Sequence, residues 1–256
     1  MPPVESAVSS PPYAMYAELV IGAPIVADAT IRSASRLKPA EAPDLAPGFA
    51  RFYVEADVSS LIRSPAPLPP RIGYLYNAPL DAQGRAPRIG KARVLLFART
   101  AAQPGQIQLV RPDAQQGWTP GGDALARRIV QEVLAADAPP AIGGVGKAFH
   151  VPGALPGEGE TQIFLNTAGG RPVSLSVARA ADGQRSWSVS LSEIVDAAAA
   201  PPPRDTLLWY RLACGLPATL PEASVAAIEP SDAAIARDDY AFVLGALGPC
   251  HRGGAS

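Results

Sequence analysis

The sequence predicts an α+β fold that is mostly antiparallel β. We expect a small five-stranded barrel, a helix, a three-stranded antiparallel meander and a C-terminal helical hairpin. In the N-terminal half, five segments alternate apolar and polar side chains, the pattern of half-buried strands. In the C-terminal half, shorter alternating segments separated by glycine-bearing turns precede two segments of helical periodicity.

A short helix, YAMYAELVIGA, precedes the five predicted strands: PIVADATIRSASRL, FARFYVEADVSSLIR, RIGYLYNAP, KARVLLFART and GQIQLVRP. In the second strand, Phe52 and Val54 share one face and Tyr53 lies on the other. The third strand places Tyr74 and Tyr76 on its inward face. Five strands favour a closed barrel, because closure removes the open edges of a free sheet.

The clearest helix, TPGGDALARRIVQEVLAA, follows the predicted barrel, and we expect Asp123 to cap its N-terminus. The glycine-rich segment AIGGVG after it is predicted to be a flexible entry into a strand. The meander consists of ETQIFLNT, RPVSLSVARA and SWSVSLSEIV, the last two with one apolar face and one serine-lined face. The hairpin helices are DTLLWYRLACG and SDAAIARDDYAFVLGALG, the second with Ser231 as its expected cap.

These elements predict two folded regions between two disordered ends. Residues 1–12 are the expected disordered N-terminus, and residues 13–138 hold the barrel and its linking helix. Residues 139–250 form the antiparallel sheet with the helical hairpin, and residues 251–256 are the expected disordered tail.

Composition and cysteine placement bear on the compartment. The chain has 256 residues, 48% of them hydrophobic, and a net charge of -1, so no overall charge draws it to nucleic acid or to an anionic membrane. No apolar run is long enough to span a bilayer, and the opening MPPVESAVSSPPYAM does not have the pattern of a signal peptide. Cys214 and Cys250 each lie near or just past the end of a predicted helix; they are either a disulfide, which we favour, or two unrelated buried thiols. A disulfide favours the periplasm or the extracellular space.

The chain offers few groups for catalysis. AIGGVGKAFH resembles a phosphate-binding loop, but Ala141 stands where its first glycine belongs and Ala148 where its Ser or Thr belongs. With only His150 and His251, we expect no metal site, and no motif predicts a cofactor. The best titratable cluster is His150 with Glu158 and Glu160, a candidate for acid–base catalysis by a hydrolase or, if the loop folds back on itself, for a calcium-type oxygen site. The alternative is that His150 is hydrogen-bonded scaffolding and the glutamates are solvated.

The barrel region is more basic than the whole chain. From Arg51 to Arg111 there are nine basic and three acidic residues. Basic groups beside Tyr53, Tyr74, Tyr76 and Phe97 could form a groove for single-stranded nucleic acid. We favour the alternative, core aromatics with solvated arginines, and therefore expect nucleic acid not to be the partner.

Two resemblances supplement these patterns. The segments YAELVIGAPIVADATIRS, FARFYVEADVSSLIR and ARVLLFART resemble the OB-type small barrels, including netrin-like modules, over roughly the first 110 residues. LPGEGETQIFL and DTLLWYRLACGLP resemble uncharacterised envelope proteins of bacteria with GC-rich genomes. The second resemblance implies a location rather than an activity, and neither supplies a catalytic residue.

The sequence therefore favours a non-enzymatic, exported bacterial protein that acts through binding or assembly. Its partner is left open between another envelope protein and a polar ligand. The alternatives are a hydrolase using His150 with Glu158 or Glu160, and an oligonucleotide-binding basic barrel.

Overall fold

The structure is a computed structural model that describes residues 12–192 and 199–250. The chain divides into two compact units, Met1–Leu134 and Ala135–Ser256. Residues 1–11 and 251–256, predicted to be disordered, lie outside the described residues, as does the end of the last predicted meander strand.

The first unit is an OB-like five-stranded barrel, as the sequence predicts. Its five main strands and a short sixth one are β1 (Ile25–Arg36), β2 (Phe49–Arg63), β3 (Arg71–Pro79), β4 (Arg93–Thr100), β5 (Ile107–Leu109) and β6 (Gln115–Gly117). The strand order is β3-β2-β1-β4-β5, every neighbouring pair is antiparallel, and β6 pairs with β4. A parallel bridge between Gly73 and Gln106 brings the start of β5 back to β3 and nearly closes the barrel.

Alternation along the strands fills the barrel interior. The barrel core includes Phe52 and Val54 from β2, Ile72 and Tyr74 from β3, and Leu96 from β4. The Tyr74 hydroxyl donates a hydrogen bond of 2.7 Å to Gln115 Oε1 in β6. Burial raises the pKa of Tyr74 well above its usual range.

Two helices complete this unit, α1 (Tyr13–Gly22) and α2 (Pro120–Leu134). The Tyr13 hydroxyl donates a hydrogen bond to Glu132, which ties the start of α1 to the end of α2. The prediction that Asp123 caps α2 is wrong, because the helix begins earlier and the Thr119 hydroxyl accepts from the Gly122 N–H at 3.0 Å. Asp123 lies in the first turn instead and pairs with Arg127 at 2.8 Å.

The second unit contains a four-stranded antiparallel sheet rather than the predicted three-stranded meander. Its strands are β7 (Ile142–Pro152), β8 (Gly159–Thr167), β9 (Val173–Arg179) and β10 (Arg185–Ser190), in the order β10-β9-β8-β7. The additional strand is β7, which includes the segment predicted to be flexible. Register shifts interrupt its pairing with β8 between Ile142 and Gly144 and between Val145 and Ala148. These irregularities explain why no alternating pattern marks this strand in the sequence.

Three helices follow the sheet, α3 (Leu207–Gly215), the short α4 (Glu222–Val225) and α5 (Pro230–Leu247). All three contact β7. Ser231 is not the cap of α5, because the helix starts with Pro230 at its first position and Glu229 occupies the cap position. Trp209 of α3 donates a hydrogen bond of 2.9 Å to the Leu247 carbonyl oxygen at the end of α5.

Cys214 and Cys250 form the predicted disulfide, with their Cα atoms 5.3 Å apart. The bridge joins the last turn of α3 to the chain just after α5, and is consistent with an oxidising compartment. Across the described ranges, no helix is long and apolar enough to cross a membrane.

Candidate functional site

His150, the candidate from the sequence, belongs to a buried polar chain in the second unit. Its Nδ1 lies 3.0 Å from Thr161 Oγ1 on the neighbouring strand β8. The Thr161 hydroxyl donates in turn to Asp239 Oδ2 of α5 at 2.5 Å, and Arg179 of β9 donates to Asp239 Oδ1 at 2.8 Å. Asp239 and Thr161 are both fully buried. The chain of bonds therefore fixes three strands and one helix to each other.

The direction of these bonds selects the tautomer of a neutral imidazole. The Thr161 hydroxyl has one proton, which it gives to Asp239, so it can only accept from His150 Nδ1. A neutral His150 therefore carries its proton on Nδ1 and leaves Nε2 as an acceptor. The ring lies against Gly159, where an added Cβ would be 2.6 Å from Nε2 and 2.4 Å from Cε1. Only a glycine permits this approach.

The structure does not join His150 to the two glutamates predicted beside it. Glu160 pairs across the strands with Val151, one position after the His150–Thr161 pair, and so points to the opposite face of the sheet. The Glu158 carboxylate accepts from the Leu155 N–H at 3.2 Å in the β7–β8 turn. Both glutamates line a shallow depression of about 490 Å³ together with Arg179. In the part of the chain that is described, no hydrogen bond links His150 to either of them, and the hydrolase alternative remains a prediction.

Sequence reasoning missed Asp239, the carboxylate that His150 does reach through Thr161. Its neighbour Asp238 is exposed and shares the same cations, Arg179 at 2.6 Å and Arg185 at 3.0 Å. The hydrogen bond from Arg179 lowers the pKa of Asp238 below its usual range. The sequence did contain a signal, the helical spacing around Asp239. It lies three residues after Ala236 and four before Val243, and this spacing places a carboxylate on the buried face of α5.

The first unit has a groove of about 690 Å³ on the barrel wall. It lies where β3 and β5 meet, beside the Gly73–Gln106 bridge. The loop between β1 and β2 contributes Asp44, and the loop between β4 and β5 contributes Ala101 and Gln106. In OB-type barrels, the face of the second and third strands and these same two loops bind ligands.

The groove is lined by polar side chains and one outward-facing aromatic ring, together with apolar residues such as Leu109 and Val110. Tyr53 of β2 and Leu75 of β3 are cross-strand partners and are 36% and 50% exposed. The lining also includes arginines and side-chain amides: Arg51, Asn77, Arg99, Gln106, Gln108 and Arg111. An aromatic ring, amides and guanidinium groups around a concave surface are able to bind a polar ligand.

Two of the three groove arginines are neutralised by carboxylates. Arg51 pairs with Asp44 at 2.7 Å, and its hydrogen bond lowers the pKa of Asp44. Arg111 pairs with Glu18 at 2.7 Å and with Asp113, and lowers the pKa of Asp113 in the same way.

Ion pairs also reduce the basic excess seen in the sequence. Five of the nine basic residues between positions 51 and 111 pair with carboxylates: Arg51, Arg71, Arg85, Arg93 and Arg111. Several of the partners, such as Asp28 and Asp44, lie outside that span and were not included in the sequence count. The surface is thus less cationic than the sequence predicts, and oligonucleotide binding stays an untested alternative.

Within residues 12–192 and 199–250, no group of three or more His, Cys, Asp and Glu side chains is placed to hold a metal ion. No family model matches the chain, and no curated protein matches its sequence.

Proposed function

We propose that this chain is a non-enzymatic, exported bacterial protein that acts by binding, and that the barrel groove is its binding site. The observation that carries the proposal is the position of the groove. It lies on the barrel face that OB-type folds use for ligands, between the two loops that flank that face. Its volume of about 690 Å³ also falls within the range of about 300–1,000 Å³ that is typical of ligand sites.

The proposed location rests on the second unit. The Cys214–Cys250 bridge would be reduced in most cytosols and persists in the periplasm or outside the cell. Non-reducing mass spectrometry of protein from its native compartment should detect a chain lighter by two hydrogens than the reduced form. Two freely alkylated thiols would contradict export.

The binding proposal is tested by blocking the groove. Gln108 is exposed and lies in the groove, so Gln108→Trp fills it without disturbing the core. The control is Leu134→Trp, which adds the same side chain at an exposed position at the end of α2. Both variants and the wild type are titrated with chitohexaose, a hyaluronan hexasaccharide, oligogalacturonate, oligothymidylate and polyglutamate.

We expect at least one of these probes to bind the wild type and the Leu134→Trp control, and to lose affinity at least tenfold for Gln108→Trp. Binding that Gln108→Trp leaves unchanged would overturn the proposal. So would the absence of binding by every probe up to about 1 mM, which corresponds to a binding free energy weaker than about -4 kcal/mol.

A further inference from the structure

Tyr53 forms an aromatic platform in the lining of the groove. Its ring lies across the neighbouring strand over Gly73, where an added Cβ would be 2.5 Å from the Tyr53 hydroxyl oxygen and 3.1 Å from Cζ. Because Gly73 has no side chain, the ring lies low against the sheet while the residue stays 36% exposed. An aromatic ring supported below and open above is suited to stacking on a flat ligand surface, such as a base or the apolar face of a sugar ring.

The amide groups of the groove present donors to a ligand. Arg51 Nε donates to Asn77 Oδ1 at 2.8 Å, and Arg99 donates to Gln108 Oε1 through Nε at 3.2 Å and Nη2 at 3.1 Å. A guanidinium only donates, so the oxygen of each amide is the bonded atom and each NH₂ group is left for a ligand. The site therefore fits a ligand that is rich in acceptor oxygens.

The charge of the groove limits how anionic that ligand can be. Arg51 and Arg111 are paired with carboxylates, as described above. Among the described residues, no carboxylate lies within ion-pair distance of the exposed Arg99, whose partner is the neutral Gln108. One uncompensated guanidinium matches one carboxylate. It does not match a run of phosphates, each of which a nucleic-acid groove must neutralise with its own cation.

We propose that the ligand of this groove is an oligosaccharide that carries widely spaced carboxylates. The proposal rests on the proposed function, because it names the ligand class of the same site. A sugar ring stacks on Tyr53, its hydroxyl oxygens accept from the amides of Asn77 and Gln108, and one carboxylate pairs with Arg99. A single-stranded nucleic acid is the competing class that the experiment must separate from it.

The test compares four oligomers by isothermal titration calorimetry on the full chain. Chitohexaose is neutral, the hyaluronan hexasaccharide has a carboxylate on every second sugar, oligogalacturonate has one on every sugar, and oligothymidylate has regularly spaced phosphates. We expect the hyaluronan hexasaccharide to bind about three- to fivefold tighter than chitohexaose, the effect of one exposed ion pair. Oligogalacturonate should gain no more, because the groove offers one free guanidinium.

Charge variants isolate the role of Arg99. Arg99→Gln should weaken the hyaluronan hexasaccharide more than chitohexaose, so that the preference for the charged sugar disappears. The control is Arg88→Gln, which removes an exposed arginine of the β3–β4 loop that does not line the groove. This control should retain the preference.

Two variants isolate the platform. Tyr53→Leu should weaken both hexasaccharides about tenfold, and Tyr53→Phe should restore most of that loss, because the ring rather than the hydroxyl stacks. Gly73→Ala should weaken them similarly by displacing the ring, with the melting temperature changed by only a few degrees, because the contacted atoms are at the end of a side chain. If Gly73→Ala does not fold, the Tyr53 variants still test whether the ring stacks on the sugar.

The outcomes separate the two proposals. Tighter binding of oligothymidylate than of any of the three sugars, or sugar binding that Tyr53→Leu leaves unchanged, would overturn the oligosaccharide assignment. If only oligothymidylate or polyglutamate binds, and Gln108→Trp removes that binding, the ligand class is wrong while the groove is still the binding site. If no probe binds in a groove-dependent way, both proposals fail.

Discussion

Removal of the disulfide should destabilise the second unit selectively. The bridge closes a loop with a sequence separation of 36 residues between Cys214 and Cys250. In the chain-entropy model, a loop of this length contributes about 4 kcal/mol to the free energy of unfolding by restricting the unfolded chain. For a unit the size of Ala135–Ser256, this corresponds to a fall in melting temperature of about 15 °C.

The assay follows the two units separately. Trp118 lies in the first unit, so a Trp118→Phe background leaves Trp187 and Trp209 to report on the second. In that background, the double variant Cys214→Ser/Cys250→Ser should have a melting temperature, measured by tryptophan fluorescence, that is lower by about 15 °C. Dithiothreitol should lower that of the cysteine-containing protein equally. A fall below about 4 °C, the effect of about 1 kcal/mol, would refute the loop-closure argument.

Three further predictions concern buried groups in the second unit. Asp239→Ala should cost about 3 kcal/mol of stability in chemical denaturation because it removes a fully buried carboxylate that accepts from Thr161 and Arg179. Asp238→Ala, at an exposed position, should cost less than about 1 kcal/mol, and equal losses would contradict this. Burial raises the pKa of Tyr240 above its value in the unfolded chain, which is about 10. The contribution of this protonated hydroxyl to the free energy of unfolding is therefore complete below about pH 10 and is lost as the pH rises towards the folded pKa. Tyr240→Phe should therefore reduce the loss of stability above about pH 10, and an unchanged slope would argue against that assignment. Gly159→Ala should cost about 2 kcal/mol through its clash with the His150 ring and with the Val151 carbonyl oxygen, and a melting temperature equal to that of the wild type would contradict this.

The barrel strands were predictable because their side chains alternate between core and surface. The bounds of β2 and β3 match the segments predicted from alternation, and Tyr74 lies inward as expected. The disulfide was predictable for a different reason, since glycine and proline end a helix close to each cysteine. In both cases, the information is local to a few consecutive residues.

The features that the sequence did not predict depend on contacts between distant segments. β7 lacks an alternating pattern because three glycines and two register shifts interrupt it, and its pairing with β8 defines it as a strand. Asp239 of α5 can be buried because Thr161 of β8 and Arg179 of β9 donate hydrogen bonds to its carboxylate. The Tyr53 platform depends on the register that places it beside Gly73. Pairings of this kind cannot be read from neighbouring residues.

The central claim, that the barrel groove binds the ligand, is tested most directly by an NMR titration of the isotopically labelled chain with the hyaluronan hexasaccharide. We predict that the largest amide shift changes occur at Tyr53, Leu75, Gln106 and Gln108, which line the groove. The residues of Ala135–Ser256 should be unaffected. Shift changes confined to that second unit would contradict the groove as the binding site, and no shift changes at millimolar sugar would contradict the oligosaccharide as its ligand.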